Sequence, residues 1–142
     1  MKLQMATRCA LYAVLELSAQ PERQTSAAEI AEKYGVSSNH LAKVLRKLGR
    51  ERLVEAVRGA GGGYRFIGNA KRINLLDIIR LFEDIGSTSA GEHEAGDDTP
   101  EGQALRRVLD EIEDIARATL CSITVETMLK LSRRRPPAGG SG

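Results

Sequence analysis

Ser26-Ala27-Ala28-Glu29-Ile30-Ala31-Glu32-Lys33-Tyr34-Gly35-Val36-Ser37-Ser38-Asn39-His40-Leu41-Ala42-Lys43-Val44-Leu45-Arg46-Lys47-Leu48 is the stretch on which the fold turns. It holds two apolar stripes of helical period. Ala27, Ile30, Ala31 and Tyr34 recur at i, i+3, i+4 and i+7, and Leu41, Val44, Leu45 and Leu48 repeat that spacing, which puts each set on one helix face. Thr25 or Ser26 caps the first helix, with Glu29 placed to complete a capping box with Ser26. Gly35 supplies the left-handed turn that ends it, and Ser37 or Ser38 caps the second, which runs to about Glu51. Ala31 is small where the helices cross. A pair joined in this way is a helix-turn-helix.

The second helix turns Asn39, His40, Ala42, Lys43, Arg46, Lys47 and Arg50 outward, a basic face with no acidic residue. In a DNA-binding helix-turn-helix this face enters the major groove, and its N-terminal residues reach base edges. The expected contacts are Ser38, Asn39, His40 and Lys43, with Arg46 and Lys47 one turn later. An ordinary helical hairpin with a solvated basic face has the same local pattern, so the following segment decides between them. There, β-prone Leu53–Arg58 and Tyr64–Ile67 flank Gly59-Ala60-Gly61-Gly62-Gly63, the signature of a hairpin. Arg58 and Arg65 on its two sides make it a basic wing able to enter a minor groove. Arg58, Gly59, Gly62, Gly63, Tyr64 and Arg65 therefore join the expected DNA-binding set. A phosphate cradle is the rival use of such glycines, but it needs a helix directly after the loop. Tyr64-Arg65-Phe66 makes a strand instead.

Outward from this centre, residues 5–19 read as a helix with a broad buried face, and Asn74 caps a further helix over Leu75–Glu83. Gly86–Asp98 is polar, acidic and without periodicity. Thr99-Pro100 opens a long helix reaching about Leu120. On it Leu105, Val108, Ile112 and Ile115, widened by Leu109 and Ala116, form a stripe suited to burial against a second long helix. Thr124 caps a last helix over Val125–Leu131, and residues 132–142 have the composition of a disordered tail. The expected architecture is a mainly α winged helix-turn-helix with a two-stranded wing and a long C-terminal dimerisation helix. Residues 1–70 form the DNA-binding region, 71–131 the linker helix, acidic loop and dimerisation helix, and 132–142 the tail.

Composition agrees. The 142 residues, 42% apolar and only 4% aromatic, suit one domain with an aliphatic core. No apolar run approaches the roughly 20 residues of a membrane helix. Met1-Lys2-Leu3-Gln4 lacks a signal-peptide core, and two cysteines are too few for a disulfide scaffold. The cytoplasm is the expected location. The net charge of +2 divides into +7 over residues 1–72 and −5 over residues 73–142, which suits the basic half to a polyanion, with scatter of solvated charge as the plain alternative that the motifs decide. No paired-carboxylate cleft, Ser/His/Asp set or HExxH points to an enzyme. The expected function is a sequence-specific transcriptional regulator. The alternative is a non-catalytic module that dimerises through the long helix and binds RNA or an acidic protein.

Met1-Lys2-Leu3, Ala10-Leu11-Tyr12-Ala13, Gly35-Val36-Ser37, Arg58-Gly59 before Gly62-Gly63-Tyr64, Ile73-Asn74-Leu75-Leu76-Asp77-Ile78-Ile79 and Ser122-Ile123-Thr124-Val125 give the chain a resemblance over residues 1–131. It resembles the winged repressors that include the iron–sulfur cluster regulator IscR, the nitric-oxide-sensitive repressor NsrR and the cysteine-metabolism repressor CymR. The resemblance implies a homodimer whose long helices cross, with two wings on a palindromic operator. It also implies DNA contacts over Ser38 to Lys47 and Arg58 to Arg65. Some members carry a glutamate early in the recognition helix where this chain has Ala42, so no operator sequence transfers.

The sensor is where the chain departs from these relatives. The iron–sulfur members carry three cysteines in the loop before the long helix, whereas Ser87–Asp98 contains none, and Arg8 and Tyr12 stand near their auxiliary ligand positions. No standard three-cysteine cluster is expected. Glu92, His93 and Glu94, with Asp97 and Asp98, read as a solvated acidic loop or as a divalent-metal site. Cys9 and Cys121 read as core residues or as a thiol switch. A small molecule or partner protein is the third possibility.

Overall fold

The computed structural model describes residues 1–59, 61–85 and 93–134. Among them the chain forms α1 (Met5–Ala19), α2 (Ala27–Tyr34), α3 (Ser38–Arg50), β1 (Val54–Val57), β2 (Gly63–Phe66), α4 (Leu75–Ile79), α5 (Pro100–Ser122) and α6 (Val125–Arg134). Helices α2 to α5 begin at side chains that satisfy their orphan N–H groups. Ser26 Oγ accepts the Glu29 N–H at 3.1 Å and the Glu29 carboxylate reaches back to the Ser26 N–H, closing the capping box of α2. Ser37 serves α3, Asn74 and Asp77 close a second box at α4, and Thr99 with Pro100 starts α5. Gly35 takes the left-handed conformation (φ 67°) and donates its N–H to Ala31 O, ending α2 tightly enough for α3 to start three residues later.

The core is organised around α1. Cys9, Ala10, Ala13, Val14 and Leu17 are fully buried, and Leu41, Val44, Leu45 and Leu48 of α3 pack into the same cluster with Ile30 and Ala31 of α2. Small residues at positions 10 and 13 let neighbouring helices approach closely. Tyr12 and Tyr34 stack at 4.5 Å between ring centroids, and Glu16 accepts from the Tyr34 hydroxyl at 2.8 Å and from Lys33 at 2.7 Å, fastening α2 to α1. Ile78 of α4 and Val125 of α6 belong to the same cluster, so the packing runs across residue 70 without a break. An isolated bridge between Asn74 and Thr124 brings the start of α6 to that of α4, with Leu75 N–H to Ile123 O and Val125 N–H to Ile73 O at 2.9 Å each.

β1 and β2 pair antiparallel, Val54 opposite Phe66 and Val57 opposite Gly63. The wing gains a third edge that the sequence did not announce. Thr25, just ahead of α2, exchanges both backbone bonds with Tyr64, at 2.9 and 2.8 Å. Gly63 makes this contact possible, because a Cβ there would lie 2.6 Å from the carbonyl group of Thr25.

Two expected boundaries are corrected. The helix expected over Leu75–Glu83 is α-helical only to Ile79. Beyond it the Leu81 and Phe82 N–H groups bond three residues back, to Ile78 and Ile79, and Glu83 is drawn onto the N-terminus of α1. The expected tail loses its first residues to α6, which continues through Ser132 to Arg134, with Ser132 Oγ donating to Met128 O. Residues 135–142 lie outside the described residues.

α3 ends in an unusual way. Arg52 has φ 61° and is the one non-glycine with positive φ among the described residues. Leu53 N–H meanwhile returns to Leu48 O at 3.0 Å. A side chain in the left-handed region costs about 1–2 kcal/mol, and glycine gives back part of that as chain entropy. Arg52→Gly is therefore expected to stabilise the fold by about 0.5–1 kcal/mol. Urea unfolding checks this, and an unchanged or lower midpoint at equal slope contradicts it.

Candidate nucleic-acid interface

At about 100° per residue, Asn39, Lys43, Arg46 and Arg50 fall opposite the buried stripe of α3, and all four are exposed. No acidic side chain interrupts this pole. Arg50 belongs to it although the expected DNA-binding set omitted it. The spacing i, i+4, i+7, i+11 from Asn39 was the available signal. Ser38 is exposed at the first turn, and the Ser37 hydroxyl accepts the His40 N–H at 3.3 Å.

His40 and Lys47, seven residues apart, lie instead on one flank of α3, and both are half-buried. Lys47 Nζ stands 5.1 Å from the centroid of the Phe82 ring, a cation–π contact. His40 borders a shallow groove of about 280 Å³ with Met5, Gly35, Val36 and Ser37, and its Nε2 is buried without a hydrogen-bond partner among the described residues. The flank thus faces the protein, and the outer pole faces solvent.

On the wing, Arg58 is exposed, but Arg65 pairs across the strands with Glu55, its Nε at 3.1 Å from the carboxylate. The register places these two residues opposite one another, so the charge of Arg65 is partly offset and Arg58 is the freer cation. Gly59 (φ 126°) and Gly61 (φ 76°) turn the tip, and Gln24 Nε2 donates to Gly61 O at 3.3 Å. Tyr64 is half-buried against the core. Ala60 lies outside the described residues.

α5 contributes no buried residue, although Leu105, Val108, Leu109, Ile112 and Ile115 are 49–61% exposed. These five span about 120° of one face, an apolar stripe of the kind a partner normally covers.

The sensor candidates do not converge among the described residues. His93 Nε2 lies 3.3 Å from Asp98, both exposed. Asp97 accepts the Glu94 N–H at 2.8 Å and pairs with Arg106 at 2.6 Å, and these two contacts hold its carboxyl below the usual carboxylate range. No three His, Cys, Asp or Glu side chains gather as a metal site among the described residues, and Glu92 lies outside them. Cys9 and Cys121 are both free. Burial pushes the Cys9 thiol up, against a smaller opposing effect of Arg8. Cys121 is exposed at the end of α5 and receives the Asn74 Nδ2 at 3.7 Å. No described helix is long and apolar enough to cross a membrane.

A family model described as an iron-dependent transcriptional regulator matches residues 3–131. A protein named as the HTH-type transcriptional regulator BadM, of Rhodopseudomonas palustris, is 54% identical over 145 residues, spanning 100% of this chain and 92% of its own. Among solved structures, the global cysteine regulator CymR of B. subtilis aligns with a TM-score of 0.76 at 28% identity, covering 92% of this chain and 98% of its own. IscR of T. potens aligns with a TM-score of 0.74 at 26% identity, covering 96% and 93%. The iron in the family's description finds no thiolate set here. A cluster held by three or four thiolates does not fit a chain with two cysteines, one of them closed inside the core. The helix-turn-helix, the wing, the long helix and these matches agree: the chain belongs to the Rrf2 family of DNA-binding transcriptional regulators.

Proposed function

We propose that the protein is a cytoplasmic, homodimeric repressor that binds a palindromic operator and answers a redox, metal or metabolite signal without a three-cysteine cluster. In this reading α3 of each copy lies in a major groove and each wing tip in a flanking minor groove. The observation that carries it is the outer pole of α3, where Asn39, Lys43, Arg46 and Arg50 are exposed with no acid among them. Asn and Lys are side chains that read base edges, and Arg serves bases or phosphates. The stripe on α5 supports the dimer, and two-fold symmetry matches a palindrome.

The test begins by selecting duplexes from a random pool with the full chain, then measuring affinity across salt concentrations. Binding is expected to weaken steeply with salt as counterions are released. Arg46→Ala and Arg58→Ala are each expected to make the log–log slope shallower by about 1 for every phosphate interaction they remove. Lys43→Ala is expected to relax base preference at one position in each half-site. Salt-insensitive association, or unchanged affinity in the Arg46→Ala/Arg58→Ala double variant, would sink the reading.

A further inference from the structure

Phe82 and Glu83, consecutive in the chain, hold two different parts of the reading head. Phe82 presents its ring to Lys47 on the inner flank of α3. Glu83 turns its carboxylate to α1, where Oε2 accepts the Gln4 N–H at 2.9 Å and the hydroxyl of the fully buried Thr7. α1 needs this acceptor. Its N-cap Gln4 supplies no side-chain bond and its first turn has no acidic residue, so Glu83 provides both the missing acceptor and the negative charge that a helix N-terminus favours. Between Gln4 and Thr7 stands Met5, which lines the groove shared with Gly35, Val36, Ser37 and His40. The inner flank of α3 is therefore fixed at Lys47 by Phe82 and bordered at His40 by the helix end that Glu83 secures. Two residues on, Ile85 O accepts from Arg117 of α5 at 3.3 Å.

We propose that Phe82 and Glu83 are positioning residues for DNA recognition, setting the angle at which α3 presents its outer pole and coupling that angle to α5. The proposal rests on the DNA-binding reading above. Neither residue belongs to the outer pole or the wing. Their influence is geometric, because a hydrogen bond to a base edge fails outside a narrow range of distance and angle.

The test uses the full chain with Phe82→Leu, Glu83→Ala and Glu83→Gln. It compares affinity for a duplex selected by the unsubstituted protein with amide hydrogen exchange along α3. Phe82→Leu and Glu83→Ala are each expected to weaken the selected duplex roughly 3- to 10-fold. The salt slope should stay the same, since every phosphate interaction is kept. Glu83→Gln, which keeps an acceptor oxygen, should recover part of the loss. Exchange should quicken over residues 40–47 before it does in α2. Lys47→Met should add little to Phe82→Leu, as expected of one shared interaction. If Phe82→Leu does not fold, Lys47→Met alone should reproduce the quickened exchange.

Affinity within twofold of the unsubstituted protein overturns the proposal. So does a slope shallower by about 1, which makes these residues phosphate ligands, or exchange quickened evenly through the core, which makes them packing. If the unsubstituted chain selects no duplex, the DNA-binding reading fails, and the exchange data alone decide whether Phe82 and Glu83 hold α3.

Discussion

Ile112→Asp is expected to convert the protein to monomers at micromolar concentration and to abolish tight binding to a full operator. Ile112 stands mid-stripe on α5, 56% exposed in the single chain. In a two-fold dimer the substitution appears in both copies. Each copy gives up the burial of an apolar side chain and must dehydrate a carboxylate or hold it apart from the partner. At about 2 kcal/mol per copy, the pair is weakened by about 4 kcal/mol, near a thousandfold in the dissociation constant. Sedimentation velocity reads the assembly state and gel mobility shift reads operator binding. The folded core should stay intact, because α5 has no buried residue. A variant that remains dimeric contradicts the interface, and one that binds the full operator tightly as a monomer contradicts the link between the interface and DNA binding.

Gly63→Ala is the second large expected effect. The added methyl would stand 2.6 Å from the Thr25 carbonyl carbon and oxygen and 2.9 Å from the Ser26 nitrogen. These are backbone atoms that cannot rotate away. Forced overpacking of this kind typically costs about 1–3 kcal/mol, and here relief means breaking the Thr25–Tyr64 bridge. The melting temperature should fall and the wing should detach from the segment before α2. Affinity for a selected duplex should then drop more than stability alone accounts for. An alanine variant with native melting temperature and native affinity would show that the wing does not depend on this approach.

Helices α2, α4 and α5 are legible because their ends are chemically marked. Ser26 with Glu29, Gly35, Asn74 with Asp77, and Thr99 with Pro100 each do at the backbone what their residue types suggest. The stripe Leu41, Val44, Leu45, Leu48 is buried as its spacing requires. What escaped reading depends on contacts distant in sequence. Thr25 pairs with Tyr64 across 39 positions through backbone atoms alone, and an isolated bridge leaves no periodicity behind. The Arg65–Glu55 pair follows from strand register, which a five-residue connection of mostly glycine does not settle. Lys47 looked like one more outward cation until the turn after α4 brought Phe82 beneath it. Arg52 hides a left-handed residue behind a side chain that usually avoids that region.

The shared core limits how such a regulator can be re-targeted. Val125, near the end of the described chain, is as completely enclosed as Cys9 near its start, and Ile78 lies between them in the same packing. A reading head cut after the wing and grafted onto another regulator's long helix would carry an α1 shaped for partners left behind. Exchange of whole modules is a poor route to new specificity in this architecture. Substitution is the better one: on the proposed DNA-binding reading, Asn39, Lys43, Arg46 and Arg50 are the positions to change, because all four are exposed and none belongs to the core cluster.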